Sequence, residues 1–131
     1  MKTKQMGVWM DHASAHLMEL INGAVETKII ESAFTYKEKE HTLQKGEKAM
    51  HHKKEHEQLA YYKEIAEAIK NYEEVLLFGP TEAKNELLNI LKADHHFDKI
   101  NIETRNTDKM TQNQQHAFFK DYFFKHLSDI V

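Results

Sequence analysis

The sequence predicts a mixed α/β (α+β) fold of order β-β-β-α-β-α-β-α, with a five-stranded mixed sheet and three helices. Three observations carry this reading. Asn22-Gly23 sits between two β-type runs, and the tight hairpin turn it specifies needs positive φ at both central positions, which Asn and Gly tolerate best. The continuous apolar run Val75-Leu76-Leu77-Phe78 closes on Gly79-Pro80, as a strand buried on both faces of a parallel arrangement does. Apolar residues at helical three- and four-residue spacings precede and follow that run.

Met6, Val8 and Met10 alternate with Gly7, Trp9 and Asp11 in a first strand, and Asp11-His12-Ala13-Ser14-Ala15 reads as a turn. A second strand runs from His16 to Ile21, and a third from Ala24 to about Phe34, completing an antiparallel meander. Residues 36 to about 55 lose apolar periodicity and carry Gly46, which predicts an exposed, mobile connection. From His56, and from as early as Lys48, a helix places Leu59, Tyr62, Ile65, Ala66, Ile69 and Tyr72 on one face.

After the apolar strand, Thr81 caps a helix whose inner face is Ala83, Leu87, Leu88 and Leu91. Phe97, Ile100 and Ile102 mark a short strand. Thr111 with Gln114 forms a capping box opening a last helix that buries Phe118, Phe119, Tyr122, Phe123 and Leu127. Two strand-helix units with right-handed crossovers, added to a three-stranded meander, make five strands. Residues 1–131 read as one domain with an exposed loop at about 35–55, and there is no internal repeat.

Composition narrows the function classes. A net charge of −3 excludes a uniformly basic nucleic-acid binder and leaves room for a local basic surface. The absence of cysteine removes disulfides, thiolate zinc sites and cysteine nucleophiles. The N-terminus offers neither a signal-peptide core nor an apolar run of about 20 residues, so a cytoplasmic protein with no membrane association is expected. Ten histidines, and a single arginine, Arg105, among 18 basic residues, stand out.

The basic residues concentrate in segment 37–54, which has six Lys against three Glu. Lys45, Lys48, His51, His52, Lys53 and Lys54 are the candidate phosphate contacts there, with counterion release as the driving force. Lys84 and Arg105 complete the candidate RNA-binding set. Lysine in place of arginine argues against bidentate reading of bases. Gly79-Pro80-Thr81 before a helix has the position of an anion site but lacks the extra glycines of a phosphate loop, so a plain strand-to-helix turn is the simpler reading.

His52-Lys53-Lys54-Glu55-His56 has the H-x-x-E-H spacing of inverted zinc peptidases. Such an enzyme needs a third ligand on a second rigid helix, and a solvated helical face fits this polar stretch better. Asp11 resembles the first-strand Asp that holds magnesium in nucleases of ribonuclease H-like topology, which implies a metal role with Glu19, Glu31 or Glu103 as partners, set against a turn-initiating Asx residue. A triad of Asp11, His12 and Ser14 is excluded, because nearly consecutive hairpin residues cannot align nucleophile, base and orienter. His95-His96, just past a helix end, is placed to meet its last carbonyls. No cofactor is expected, and His52, His56 and Asp11 are the metal candidates on offer.

The predicted order of elements occurs in ribonuclease H-like folds and in the group containing the middle domain of archaeal and eukaryotic peptide-chain release factors. Leu76-Leu77-Phe78-Gly79-Pro80-Thr81-Glu82-Ala83-Lys84-Asn85-Glu86-Leu87 resembles the apolar strand, Gly-Pro and Lys-containing helix of that domain in Pelota and its bacterial release-factor-like relatives. Val8 to Ala15 looks like its first hairpin, and Thr107-Asp108-Lys109-Met110-Thr111 with Gln114 is similar to the entry to its last helix. The resemblance implies a translation-associated fold with the ribosome or structured RNA as partner. Release factors carry Gly-Gly-Gln between the third strand and first helix; Gln44-Lys45-Gly46-Glu47 stands here, so peptidyl-tRNA hydrolysis by that mechanism is not supported. The expected function is a non-catalytic, ribosome- or RNA-binding protein. The alternatives are a homo-oligomeric interaction protein, in which the His-rich loop and the last, aromatic helix form the contacts, although core packing is the simpler reading of the Phe118-Phe119 and Phe123-Phe124 doublets, and a metal-dependent hydrolase or nuclease.

Overall fold

The computed structural model describes residues 4–32 and 47–130, with side chains except at 47–55 and 125–130. Strands β1 (Gln5–Met10), β2 (Ser14–Ile21) and β3 (Ala24–Glu31) form the expected meander. Helix α1 (Glu47–Ile69) leads to β4 (Glu74–Gly79), α2 (Ala83–Lys92), β5 (Asn101–Asn106) and α3 (Gln112–Ile130). The sheet order is β3-β2-β1-β4-β5. β4 lies parallel to both β1 and β5, and the meander pairs are antiparallel, so the sheet is mixed as predicted.

β1 and β4 are central, and each alternates its side chains between two cores. Met6, Val8, Met10, Val75 and Leu77 face α1 and α2, where Tyr61, Tyr62, Ile65, Ala66, Ile69, Leu87 and Leu91 cover them. Trp9, Leu76 and Phe78 face α3, meeting Phe119 and Phe123. With two faces to bury, a period-2 strand has no polar side, which is why Val75 to Phe78 reads as an unbroken apolar run. The aromatic doublets are taken up in this packing: Phe118 stacks on Phe78 at 4.8 Å, and Phe124 meets Phe119 edge-on at 5.9 Å.

Local signals are realised where the chain turns. Asn22 and Gly23 have φ of 52° and 85°, the left-handed pair that a two-residue hairpin demands. Gly79 ends β4 so close to β1 that a Cβ would stand 2.1 Å from the Met10 carbonyl oxygen. The Thr111–Gln114 capping box is reciprocal: the Gln114 backbone N–H donates to Thr111 Oγ1 at 3.2 Å, and the Thr111 N–H donates to Gln114 Oε1 at 2.9 Å. Thr81, expected to cap α2, does not: the N-cap is Glu82, whose side chain makes no capping bond, and Thr81 Oγ1 accepts from the Ala83 N–H at 3.2 Å within the turn that precedes the helix.

Other expectations are corrected. The helix α1 begins at Glu47, beside the earliest expected start at Lys48, so residues 47–55 of the expected exposed loop are helical; residues 33–46 lie outside the described residues. Leu59 is 44% exposed, because the buried stripe is set by Tyr61, Tyr62, Ile65, Ala66 and Ile69. Tyr72 lies beyond the helix end. Phe97 belongs to a short 3-10 turn, His95–Phe97, and not to a strand; Asp94 caps it by accepting from the His96 N–H, and Phe97 plugs the α2 side of the core.

Candidate functional site

The carboxyl ends of the parallel strands β1 and β4 are where an open α/β sheet offers a crevice to ligands. Asp11 follows β1 there as an Asx turn, its Oδ1 accepting from the N–H groups of Ala13 at 2.8 Å and Ser14 at 2.9 Å. Helix α1 clamps this loop. Tyr61 donates its hydroxyl to the Asp11 carbonyl at 2.9 Å, and Gln58 Nε2 donates to the His12 carbonyl at 3.2 Å. From α2, Glu86 accepts the Tyr62 hydroxyl at 2.6 Å through one carboxylate oxygen and meets His12 Nε2 at 3.3 Å through the other.

This cluster of Asp11, His12, Gln58, Tyr61, Tyr62 and Glu86 escaped sequence reasoning, since tyrosines in an apolar helical stripe carry no signature of their polar ends. Burial pushes both phenols upward; the Asp11 charge adds to the effect at Tyr61, and the bond to Glu86 adds to it at Tyr62. Both therefore stay neutral donors, committed to a carbonyl and a carboxylate. The arrangement fixes a loop and suits positioning better than acid–base or nucleophilic chemistry.

Eleven residues of α1 precede Gln58. At 1.5 Å per residue they carry the helix about 16 Å beyond its contact with the β1–β2 loop. Lys48, His51, His52, Lys53 and Lys54 belong to these turns, and Lys45 lies outside the described residues. His52 and His56 are four helical residues apart, His56 being exposed; the His52 side chain lies outside the described residues. Among the described residues no group of three His, Cys, Asp or Glu side chains is placed to hold a metal ion. Asp11 spends one carboxylate oxygen on its own turn. Two of its expected partners are engaged elsewhere: Glu19 accepts the Tyr72 hydroxyl at 2.7 Å, and Glu103 on β5 accepts from Arg105 and Tyr122.

Lys84 does not join the candidate surface. It is 1% exposed and its ammonium donates to the Thr81 carbonyl at 2.6 Å, closing the strand-to-helix turn from inside. Arg105 lies on β5, where its guanidinium pairs with Glu103 at 3.0 Å and sits 5.3 Å over the Tyr122 ring. The bond from Tyr122 is the main reason the Glu103 carboxyl falls below the usual carboxylate range, with Arg105 adding to it. His95 and His96 meet carboxylates in place of helix carbonyls: Asp98 at 3.2 Å and Asp94 at 2.7 Å.

The architecture defines a mixed α/β domain with helices on both sheet faces. In that class, a Pelota structure from Archaeoglobus fulgidus matches over 94% of this chain with a TM-score of 0.61 at 12% identity. The Pelota protein of Thermoplasma acidophilum matches over 96% with a TM-score of 0.57, also at 12% identity. An archaeal translation termination factor aligns over 96% of this chain and 41% of its own, at 14% identity and a TM-score of 0.49. At such identities the likeness to Pelota is one of fold, and the chain spans about a third of the length of those two proteins. No protein-family model matches the chain, and no curated protein matches it by sequence. Among the described residues no helix is long and apolar enough to cross a membrane.

Proposed function

We propose that this chain is a non-catalytic, translation-associated protein that binds the ribosome or structured RNA through the basic His/Lys segment leading into α1. The observation that carries the reading is the fold likeness to Pelota over nearly the whole chain. It is joined by the local resemblances at Val8–Ala15, Leu76–Leu87 and the entry to α3. Lys45, Lys48, Lys53 and Lys54, with His51 and His52 adding charge when protonated, are the contacts assigned to phosphate. The buried Lys84 is left out of this set, and the paired Arg105 is at most peripheral to it. Clamping of α1 by Asp11, His12 and Glu86 supports the proposal, because a firmly seated helix base lets the basic turns beyond it present charge at low entropic cost.

The test is salt-dependent co-sedimentation with ribosomes. Association at low ionic strength that weakens steeply with salt, and a shallower salt slope when Lys45, Lys48, Lys53 and Lys54 are changed to Gln, is the expected result. Absence of association at low ionic strength, or binding indifferent to the four substitutions, overturns the proposal.

A further inference from the structure

Among the described residues β3 is the outermost strand of the sheet on the meander side, and all eight of its residues pair with β2. The two-residue Asn22-Gly23 turn makes Ile21 and Ala24 a pair that exchanges both backbone hydrogen bonds. In phase with this, the Ser32 N–H reaches back to the Ala13 carbonyl at 2.8 Å. Ala24, Glu26, Lys28 and Ile30 therefore bond inward to β2, and Val25, Thr27, Ile29 and Glu31 turn their N–H and C=O groups outward. Side chains alternate across the same strand. Ile30 enters the α1 core and Val25 packs on the α3 core, while Glu26 and Lys28 are exposed and Ile29 is 54% exposed.

We propose that this edge pairs antiparallel with β3 of a second copy of the chain, about a two-fold axis at Thr27, joining the two sheets into one of ten strands. The charges choose the register. With Thr27 opposite Thr27, Glu26 of each copy stands opposite Lys28 of the other, in the closer, non-hydrogen-bonded type of pair, and Val25 stands opposite Ile29. The outward backbone groups permit only shifts of two residues. One such shift sets Glu26 against Glu26, and the other sets Lys28 against Lys28. Edge charges ordinarily keep strands apart; here the same two residues reject the neighbouring registers and accept one. Pairing also covers Ile29, the most exposed of the large apolar side chains among the described residues. A single strand edge is a small interface, so the dimer is concentration-dependent. This inference stands apart from ribosome or RNA binding and survives its failure.

Sedimentation velocity of the full chain over a concentration series tests it, with far-UV circular dichroism confirming that each variant is folded. The wild-type chain is expected to shift from monomer to dimer as concentration rises. Glu26→Lys alone and Lys28→Glu alone should each weaken the dimer at least about tenfold, since each places like charges opposite one another twice. An equimolar mixture of the two variants should associate again, because one copy then carries only lysine and the other only glutamate at these positions. Thr27→Pro removes an outward N–H while sparing the β2 ladder, and should abolish the dimer independently of charge. A wild-type chain monomeric across the series, a dimer indifferent to both charge reversals or to Thr27→Pro, or a mixture that stays monomeric overturns the proposal.

Discussion

Phe119 lies against the backbone of Gly7: a Cβ built on Gly7 would stand 2.5 Å from Phe119 Cδ1. The contact seats α3 on the central strand β1, where the missing side chain of Gly7 leaves room for the Phe119 ring. Gly7→Ala should therefore destabilise the chain by about 1–3 kcal/mol, the cost of overpacking a site that cannot expand freely. Urea denaturation followed by circular dichroism measures it; an unchanged midpoint would show that the ring moves aside without penalty.

The reciprocal bonds between Thr111 and Gln114 satisfy two N–H groups that the start of α3 leaves orphaned. Thr111→Ala should cost about 1 kcal/mol, and Thr111→Ser should recover most of it. Hydrogen exchange of the first turn of α3 should rise in the alanine variant and not in the serine variant.

Asp11 is read as a turn residue, so its oxygen matters more than its charge. Asp11→Ala removes the acceptor for the Ala13 and Ser14 N–H groups and should cost about 1–2 kcal/mol. Asp11→Asn keeps a side-chain carbonyl acceptor and should lose only a fraction of that. Thermal melts of the two variants, repeated with magnesium, separate the readings: a magnesium-dependent stabilisation of the wild type that Asp11→Asn abolishes would restore the metal role.

Tyr72 is pushed up to about 12, by burial first and then by its bond to Glu19; Tyr122 is likewise pushed up to about 12, by burial and by Glu103, with Arg105 opposing. Each folded-state value lies above the ordinary tyrosine value of 10.0. The folded chain thus holds protons that the unfolded chain releases, and stability that is intact below pH 10 falls as pH rises toward about 12. Tyr72→Phe and Tyr122→Phe should each flatten this decline, leaving the part due to Tyr61 and Tyr62. Denaturant midpoints at pH 9 and above, where the wild type and both variants kept parallel slopes, would refute the assignment.

The turns and caps were legible because their signals are short-range. Asn22-Gly23, Gly79-Pro80 and the Thr111–Gln114 box each depend on backbone conformation within four residues, and each is found as read. The start of α1 was legible only as a range, from His56 back to Lys48, since residues 47–55 carry few apolar letters and so little periodicity; the helix begins at Glu47, next to the early end of that range. Phe97 misled for a related reason: one buried aromatic beside Ile100 and Ile102 looks the same in a strand as in a short turn capped by Asp94.

By itself, then, the sequence determined the element order and the two-sided character of the central strands, because alternation and local turn chemistry are written in neighbouring residues. Tertiary structure alone decided which polar groups meet. Lys84 and Lys48 are equivalent as letters, yet Lys84 is drawn inside to the Thr81 carbonyl, while the turns carrying Lys48 run beyond the clamped loop. His12, Tyr62 and Glu86 are far apart in the chain and come together only at the carboxyl end of the sheet. The physical reason is that hydrogen bonding between distant side chains depends on where burial has already placed their backbones, and no spacing within the sequence records that.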